Sequence, residues 1–480
     1  MIALPQPLRN LLSLRSAGTR AAPSPAEASI GLGHLPDMRR DQLSVFTAAR
    51  RDHGDVVRLR FGWATVHLLA HPDAIKHVFV DNVRNFDKQT PGFEKLRTIL
   101  GNGLLTSDGA FWLRQRRIAQ PGFSRERIQR FAPVMAEATD HLIDQWLSLR
   151  SLGPVDVHKA MMHVALRIAG LTLLSTDFTR EAKAVGDALT LLLPEVQRAV
   201  LNPLNPLLRK LPTPQTRRIQ RAMNELLRVV RETIEERRLL LGPDAAGQGA
   251  APDDLLTMLM QARDEETGAA MSPEQLSDEV MTIFLAGHET TANALSWALL
   301  LASDHPTETA AVVREIDEVL AGEVPTAEKV PALVQTRAFI MESMRLYPPA
   351  WMIARRCVAD DEIGGFFIPG GSLLLASPFV TQRHPDYFPN PELFDPSRFT
   401  GSNSKDARTK AAYFPFGMGP RLCIGQSFAM LEAVLIFARL LQRLHFRRSP
   451  GEAPKPVPSV TLRPAGELLM EIEPRAGLTC

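Results

Sequence analysis

One cysteine stands in FPFGMGPRLCIG, residues 414–425, among Gly417, Gly419, Gly425, Pro415 and Pro420, with Arg421 two residues ahead of it. The glycines allow backbone shapes closed to other residues and a close approach to a flat partner, while the prolines stiffen the turns between them. Such a loop, running straight into an apolar helix, is built to aim one sulfur, Cys423. The alternative is a tight loop around a buried, inert thiol. A second group, AGHETT at 286–291, interrupts a long apolar stretch. Gly287 there costs about 1 kcal/mol relative to alanine, and burying Glu289 costs more unless it finds a partner. Two readings follow. Either the helix packs closely on a neighbour at Gly287 with Glu289 in a buried salt bridge, or Gly287 admits a large flat cofactor beside which Glu289 and Thr290 manage protons. His288 and Glu289 do not form a metal pair, because adjacent helical side chains diverge and the HExxH spacing is absent. A third group pairs Glu342 with Arg345, three apart on one helix face. Tyr347-Pro348-Pro349, the apolar run WMIA, Arg355 and Arg356 follow it, and Arg398 lies in the proline-rich FPNPELFDPSRF.

Helices must position these groups. Periodicity predicts them near 126–150, 156–175, 180–201, 215–241, 273–303, 307–321, 331–346 and 425–444, with short strands at 56–60, 65–70, 353–358, 372–377 and 467–472. The strands cluster at the two ends of the chain. The fold class is therefore mainly α with small β regions (α+β), the sheet being assembled from distant sequence. In the 273–303 helix, Ser272, Pro273 and Gln275 form a capping-box start, and from Val280 to Leu301 the helix is apolar on nearly every face, as befits a rod through the interior. GPDAAGQGAAPDD at 242–254 reads as a surface loop.

The chain has 480 residues and three cysteines, Cys357, Cys423 and Cys480. Such sparse usage excludes a disulfide framework, fits a reducing compartment, and leaves no CxxC zinc site. Net charge is +2, so no bulk field favours nucleic acid. Residues 1–36 read as an N-terminal arm, basic at Arg9, Arg15 and Arg20 and broken by prolines. It is too interrupted to span a membrane, and a membrane-surface contact or a transit peptide are its other readings. Residues 37–480 are taken as one domain.

Together, in this order and spacing, the motifs make the chain resemble the cytochrome P450 superfamily of haem-thiolate monooxygenases. Phe416, Gly419, Arg421, Cys423 and Gly425 match FxxGxRxCxG. AGxETT falls at 286–291, ExxR at Glu342 and Arg345, PxRF at Pro396, Arg398 and Phe399, and WxxxR at Trp112 and Arg116. The resemblance covers roughly residues 36–475 and implies a single domain with a long helix over haem b (iron protoporphyrin IX). It implies Cys423 as the axial thiolate ligand of iron, covered by Phe416, with Gly419 and Gly425 in the loop and Ala286 and Gly287 on the opposite side. Arg421, Arg116 and Trp112 are the implied propionate partners, with Arg355 preferred to Arg356 as the third arginine. Glu289 and Thr290 match the acid–alcohol pair that delivers protons to dioxygen through water. Glu342, Arg345 and Arg398 match a buried network that locks the cysteine loop.

The resemblance further implies a cytoplasmic monomer with no transmembrane span, taking electrons from a ferredoxin or flavodoxin with its reductase. Arg114, Arg117, Arg125 and Arg127, and Arg439, Arg443, Arg447 and Arg448, would suit such acidic carriers; a solvated face is the plainer reading. Expected pocket residues are Phe93, Leu96, Ile99, Phe284, Leu285, Ala286, Ala350, Trp351, Met352, Ile353, Val460 and Leu462. This apolar lining points to a hydrophobic substrate: a terpenoid, steroid, fatty acid or polyketide. A haem protein that senses or binds a ligand without turnover is the alternative.

Overall fold

The computed structural model describes residues 20–475 apart from 28, 30, 150–152, 179–187, 189–190, 193–194, 197–212, 243–250 and 404–405. The first 19 residues of the arm, nearly all of the helix expected at 180–201 and most of the 242–254 loop lie outside the described residues.

The apolar rod is there. The helix Pro273–Asp304 starts in a full capping box, Ser272 Oγ accepting from the Gln275 N–H at 3.2 Å and Gln275 Oε1 from the Ser272 N–H at 2.8 Å. It runs through the main hydrophobic core and packs against the helices Val157–Leu173, Val334–Leu346 and Gln426–Arg443. Between Val280 and Ala302 every residue is buried except Ala286, Gly287 and Thr290. The helix expected at 126–150 is two, Arg125–Arg130 and Ala132–Leu149. Pro133 explains the break, since it lacks the N–H that a continuous helix needs and crowds the preceding turn.

The strands expected at the chain's two ends make two sheets rather than one. Val56–Phe61, Ala64–Leu69, Leu373–Ala376, Ile353–Cys357 and Phe86–Asp87 lie side by side in that order. Leu469–Pro474 pairs instead with Leu444–Arg448 and Val155–Asp156. Alternation along Ile353–Cys357 sends Ile353 and Arg355 to one face and Arg356 to the other, where Arg356 meets Asp87 of the neighbouring strand. The described residues among 20–35, which the sequence groups with the arm, are laid on this body. Ala22 and Leu35 are buried, Ala21 bridges Phe367, and the Arg58 N–H donates to the Pro23 carbonyl at 2.8 Å. Among the described residues no helix is long and apolar enough to cross a membrane.

The helix Gln426–Arg443 carries a buried acid that the sequence motifs do not use. Glu432 is fully enclosed with no hydrogen-bond partner for either oxygen, since the hydroxyl of its neighbour Thr291 is given to the Gly287 carbonyl at 3.1 Å. Burial pushes its pKa up to about 8. The folded state thus keeps Glu432 neutral while the unfolded chain ionises from its ordinary range near 4.5 upward, so the associated stability is full at low pH and lost as pH climbs toward 8. Glu432→Gln should flatten that decline, narrowing the stability loss between pH 5.5 and 8 by roughly 1–3 kcal/mol. Denaturant midpoints of the haem-loaded proteins across that range measure it; parallel pH slopes would refute the assignment.

Candidate active site

Cys423 is held in place by backbone geometry. Its N–H donates to the Phe416 carbonyl at 3.0 Å, and the Gly417 N–H closes on the Phe414 carbonyl at 3.0 Å. Gly419 adopts φ +68°, and a Cβ there would fall 2.1 Å from the Phe79 carbonyl oxygen. The glycine is thus demanded by the approach of two protein backbones. Cys423 is exposed and yet so closely surrounded that burial pushes its thiol pKa up, against the Gly425 N–H and the Arg116 charge. Both hold if the sulfur faces an internal cleft, and a cation meeting it there would favour the thiolate.

The central helix presents its own open stripe. Ala286 is exposed and Thr290, one turn on, is half-buried, although the residues around them are enclosed; positions four apart share a helix face. The Thr290 hydroxyl donates to the Ala286 carbonyl at 2.7 Å. Gly287 corrects one of the two sequence readings. A Cβ added there meets Leu173 at 3.7 Å and Ala169 at 4.0 Å, ordinary contacts, so tight helix packing does not make glycine necessary. Glu289 turns away from Thr290. Its Oε1 accepts the Thr461 hydroxyl at 2.6 Å, and the Asn293 amide donates to the same Thr461 oxygen at 3.1 Å. Among the described residues Glu289 has no ion pair; burial pushes its pKa up, opposed by Thr461 and the charge of Arg463. In place of a buried salt bridge Glu289 has a hydrogen bond from a neutral hydroxyl, and burial, which favours the neutral acid, outweighs it.

At the cleft's edge five cations converge: Lys88, Arg97, Arg116, Arg355 and Arg421. Lys88 and Arg355 are almost wholly buried. Lys88 Nζ donates to the Leu105 carbonyl at 2.7 Å, Arg97 to the Thr106 carbonyl at 2.8 Å, Arg421 to the Ser107 carbonyl at 3.0 Å and Arg116 to the Leu422 carbonyl at 2.9 Å. Arg355 reaches only its neighbour's carbonyl, at 2.8 Å, and lies over the Phe79 ring. Arg421 stacks 3.6 Å over Trp112. Among the described residues, Arg421 alone of the five has a carboxylate partner, Asp108. Burial, then the neighbouring charges of Arg355 and Arg421, pushes the Lys88 pKa well down; burial, then Arg421, brings Arg355 down to about 10. Uncompensated buried charge is costly. A dianionic ring with its carboxylates at this edge and a cation at Cys423 would relieve both, so the residues present fit haem. Lys88, Arg97 and Phe79 belong to no motif, and only the clustering in space reveals them.

The Glu-Arg pair is connected to the cysteine loop through hydrogen bonds. Arg345 Nε and Nη2 donate to the two oxygens of Glu342 at 2.7 and 2.8 Å, both residues wholly buried. The same guanidinium donates to the carbonyls of Gln382, Pro391 and Leu393. Gln382, which sequence reasoning missed, passes the connection on, its Oε1 accepting the Phe414 N–H at 3.1 Å. Arg398 is the loose third member, 3.5 Å from Glu342.

Several expected pocket residues are elsewhere. Trp351 and Leu462 are sealed in a separate core beside Phe46, Phe284 is sealed against Phe178, and Ile99 and Leu285 are buried in the main core. An apolar run reads alike whether it lines a cleft or fills a core. Phe93, Leu96, Ala350, Met352, Ile353 and Val460 keep surface, and Ile353 lies 3.7 Å from the Cβ position of Gly417. The arginines expected to greet a carrier are mostly paired: Arg439 with Asp140, Arg447 with Glu471 and Arg448 with Asp304, and Arg117 and Arg127 as described below. Among the described residues no cluster of three or more His, Cys, Asp or Glu could hold a metal ion.

The family model described as Cytochrome P450 matches residues 23–472. The chain is 39% identical to "Cyclooctatin synthase" of Streptomyces melanosporofaciens, over 92% of this chain and 94% of that one. It is 37% identical to "Cyclooctat-9-en-7-ol 5-monooxygenase" of the same organism, over 88% of each, and 33% identical to "Pentalenene oxygenase" of Streptomyces avermitilis, over 90% and 92%.

Proposed function

Because the chain belongs to the cytochrome P450 family and is a monooxygenase of that family, we propose that its substrate is a cyclic terpenoid, bound between the Ala286–Thr290 stripe and the cysteine loop. The substrate and product names carried by the relatives, pentalenene and cyclooctat-9-en-7-ol among them, support this class. The apolar residues Ile353, Met352, Leu96 and Val460 support it too, offering contact without charge. The observation that carries the assignment of cofactor contacts is the cation cluster around buried Lys88 and Arg355, with one carboxylate partner among the described residues, which asks for a dianion of haem b's kind.

In this reading Cys423 holds the iron through its thiolate, and Arg116, Arg355, Arg421 and Lys88 with Trp112 hold the propionate edge. Bound haem supplies dioxygen activation and oxygen-atom transfer. The chain's own residues manage the proton. Thr290 exchanges its bond to the Ala286 carbonyl for one into the cleft. Glu289, biased toward its protonated form by burial and hydrogen-bonded to Thr461, supplies a proton after rotating toward the stripe. Electrons come from a ferredoxin or flavodoxin with its reductase. The sparse cysteines suit the cytoplasm.

The test of the substrate class is a spin-state titration of the haem-loaded protein with a panel of cyclic terpenes, steroids, fatty acids and polyketides. Terpenes should give the tightest saturable shift; a clear preference for another class overturns the proposal. Thr290→Ala should leave that shift intact while coupling of reducing equivalents to product falls about tenfold. Peroxide formed per electron pair measures it, and unchanged coupling would remove Thr290 from proton handling.

A further inference from the structure

The face beside Cys423 is richer in arginine than its net charge shows. The helix Gly109–Ala119 turns Arg116 inward to the Leu422 carbonyl, and Phe123, just beyond it, lies 3.8 Å from the Cβ position of Gly425. Arg114, Arg117, Arg127 and Arg130 stand on the same stretch, and each is met by residues 253–270, the segment leading to the central helix. Arg117 forks between Asp264 at 3.0 Å and Glu266 at 2.7 Å. Asp253 takes Arg127 at 2.8 Å and Arg130 at 3.1 Å. Arg114 donates to the Ala270 carbonyl at 2.7 Å. Arg125, in their midst, is exposed and has no carboxylate partner among the described residues.

These carboxylates are not equivalent. Asp264 is buried and accepts the N–H and hydroxyl of Thr267 at 3.2 and 2.8 Å, so it is part of a turn whatever Arg117 does. The Glu266 and Asp253 side chains are 69% and 59% exposed, and arginines are the partners they hold. Exposed pairs of this kind are weak and screened by salt, which makes them exchangeable. A groove of about 290 Å³ follows the seam, lined by Arg117, Arg127, Asp253 and Asp264 among others.

We propose that Asp253 and Glu266 hold the place of an acidic electron-carrier protein: with Asp264 on Arg117 and Glu126 on Arg130 as fixed partners, they supply the exchangeable part of the neutralisation of Arg117, Arg127 and Arg130 in the free enzyme and give it up, one carboxylate for another, when the carrier docks. This rests on the reading that electrons come from a separate acidic carrier. The segment is then a built-in competitor that weakens docking, and removing its two exposed charges strengthens docking.

The experiment is calorimetric titration of the haem-loaded enzyme with an acidic [2Fe–2S] ferredoxin at low salt. The parent is compared with Asp253→Asn/Glu266→Gln, with the charge-matched control Glu236→Gln/Glu318→Gln on other helices, and with Arg125→Glu. The strap variant should bind about two- to tenfold more tightly than the control, and Arg125→Glu several-fold more weakly than the parent. If the strap variant binds no better than the control while Arg125→Glu still weakens binding, the competition is overturned and the carrier reading stands. If no protein in the set binds the ferredoxin, both fall together.

Discussion

Cys423→Ser will give a folded protein that has lost the strongly red-shifted band of the reduced, carbon monoxide-treated holoenzyme and about a hundredfold or more of its turnover. The fold survives because the loop's geometry does not depend on the sulfur. The Cys423 N–H still meets the Phe416 carbonyl, Gly419 still fits under Phe79, and Gln382 still holds Phe414. The chemistry does not survive, because serine's hydroxyl is far harder to ionise than a thiol and burial already pushes the ordinary thiol upward. The haem edge should still be gripped by Arg116, Arg355, Arg421 and Lys88, so some cofactor is retained with altered ligation. A variant with the parental band and parental turnover would end the assignment of Cys423.

What could be read from the sequence was whatever local chemistry dictates. Gly419 and Cys423 announce a constrained loop because neighbouring residues create the constraint. The capping box at Ser272 and the uninterrupted apolar run after it mark the central helix, since both depend on residues a few positions apart. The resemblance prefers Arg355 to Arg356, and strand alternation puts the two on opposite faces, Arg356 being spent on Asp87. Contacts set by the fold were not readable. Lys88 and Arg97 join the cation cluster only because the 101–108 loop folds its carbonyls toward them. Glu289's partner Thr461 is 172 residues away, and Trp351 looks like lining until its packing on Phe46 is known. The arginine rows read as free charge because their acids, such as Asp264 for Arg117 and Asp140 for Arg439, come from remote segments.

Arg345→Ala should be the most destabilising substitution in the cysteine loop's support, costing about 3–5 kcal/mol. The guanidinium is wholly buried and meets five acceptors: two oxygens of Glu342 and the carbonyls of Gln382, Pro391 and Leu393. Removing it leaves the Glu342 carboxylate unpaired in a place where burial already pushes its pKa up, with the Asp395 N–H and distant Arg398 as its remaining support. Arg345→Lys should fare little better, because a point charge cannot match a fork that serves both oxygens and three carbonyls. Replacing both partners together, Glu342→Leu with Arg345→Met, should cost less than Arg345→Ala, since no buried charge is left unmatched. Arg398→Ala, which loses a 3.5 Å approach and one carbonyl contact, should cost under about 1 kcal/mol. Denaturant midpoints and haem retained per chain order the four variants. Should Arg345→Ala prove no worse than Arg398→Ala, the pair does not brace the loop, and the path from Arg345 through Gln382 to Phe414 carries no mechanical load.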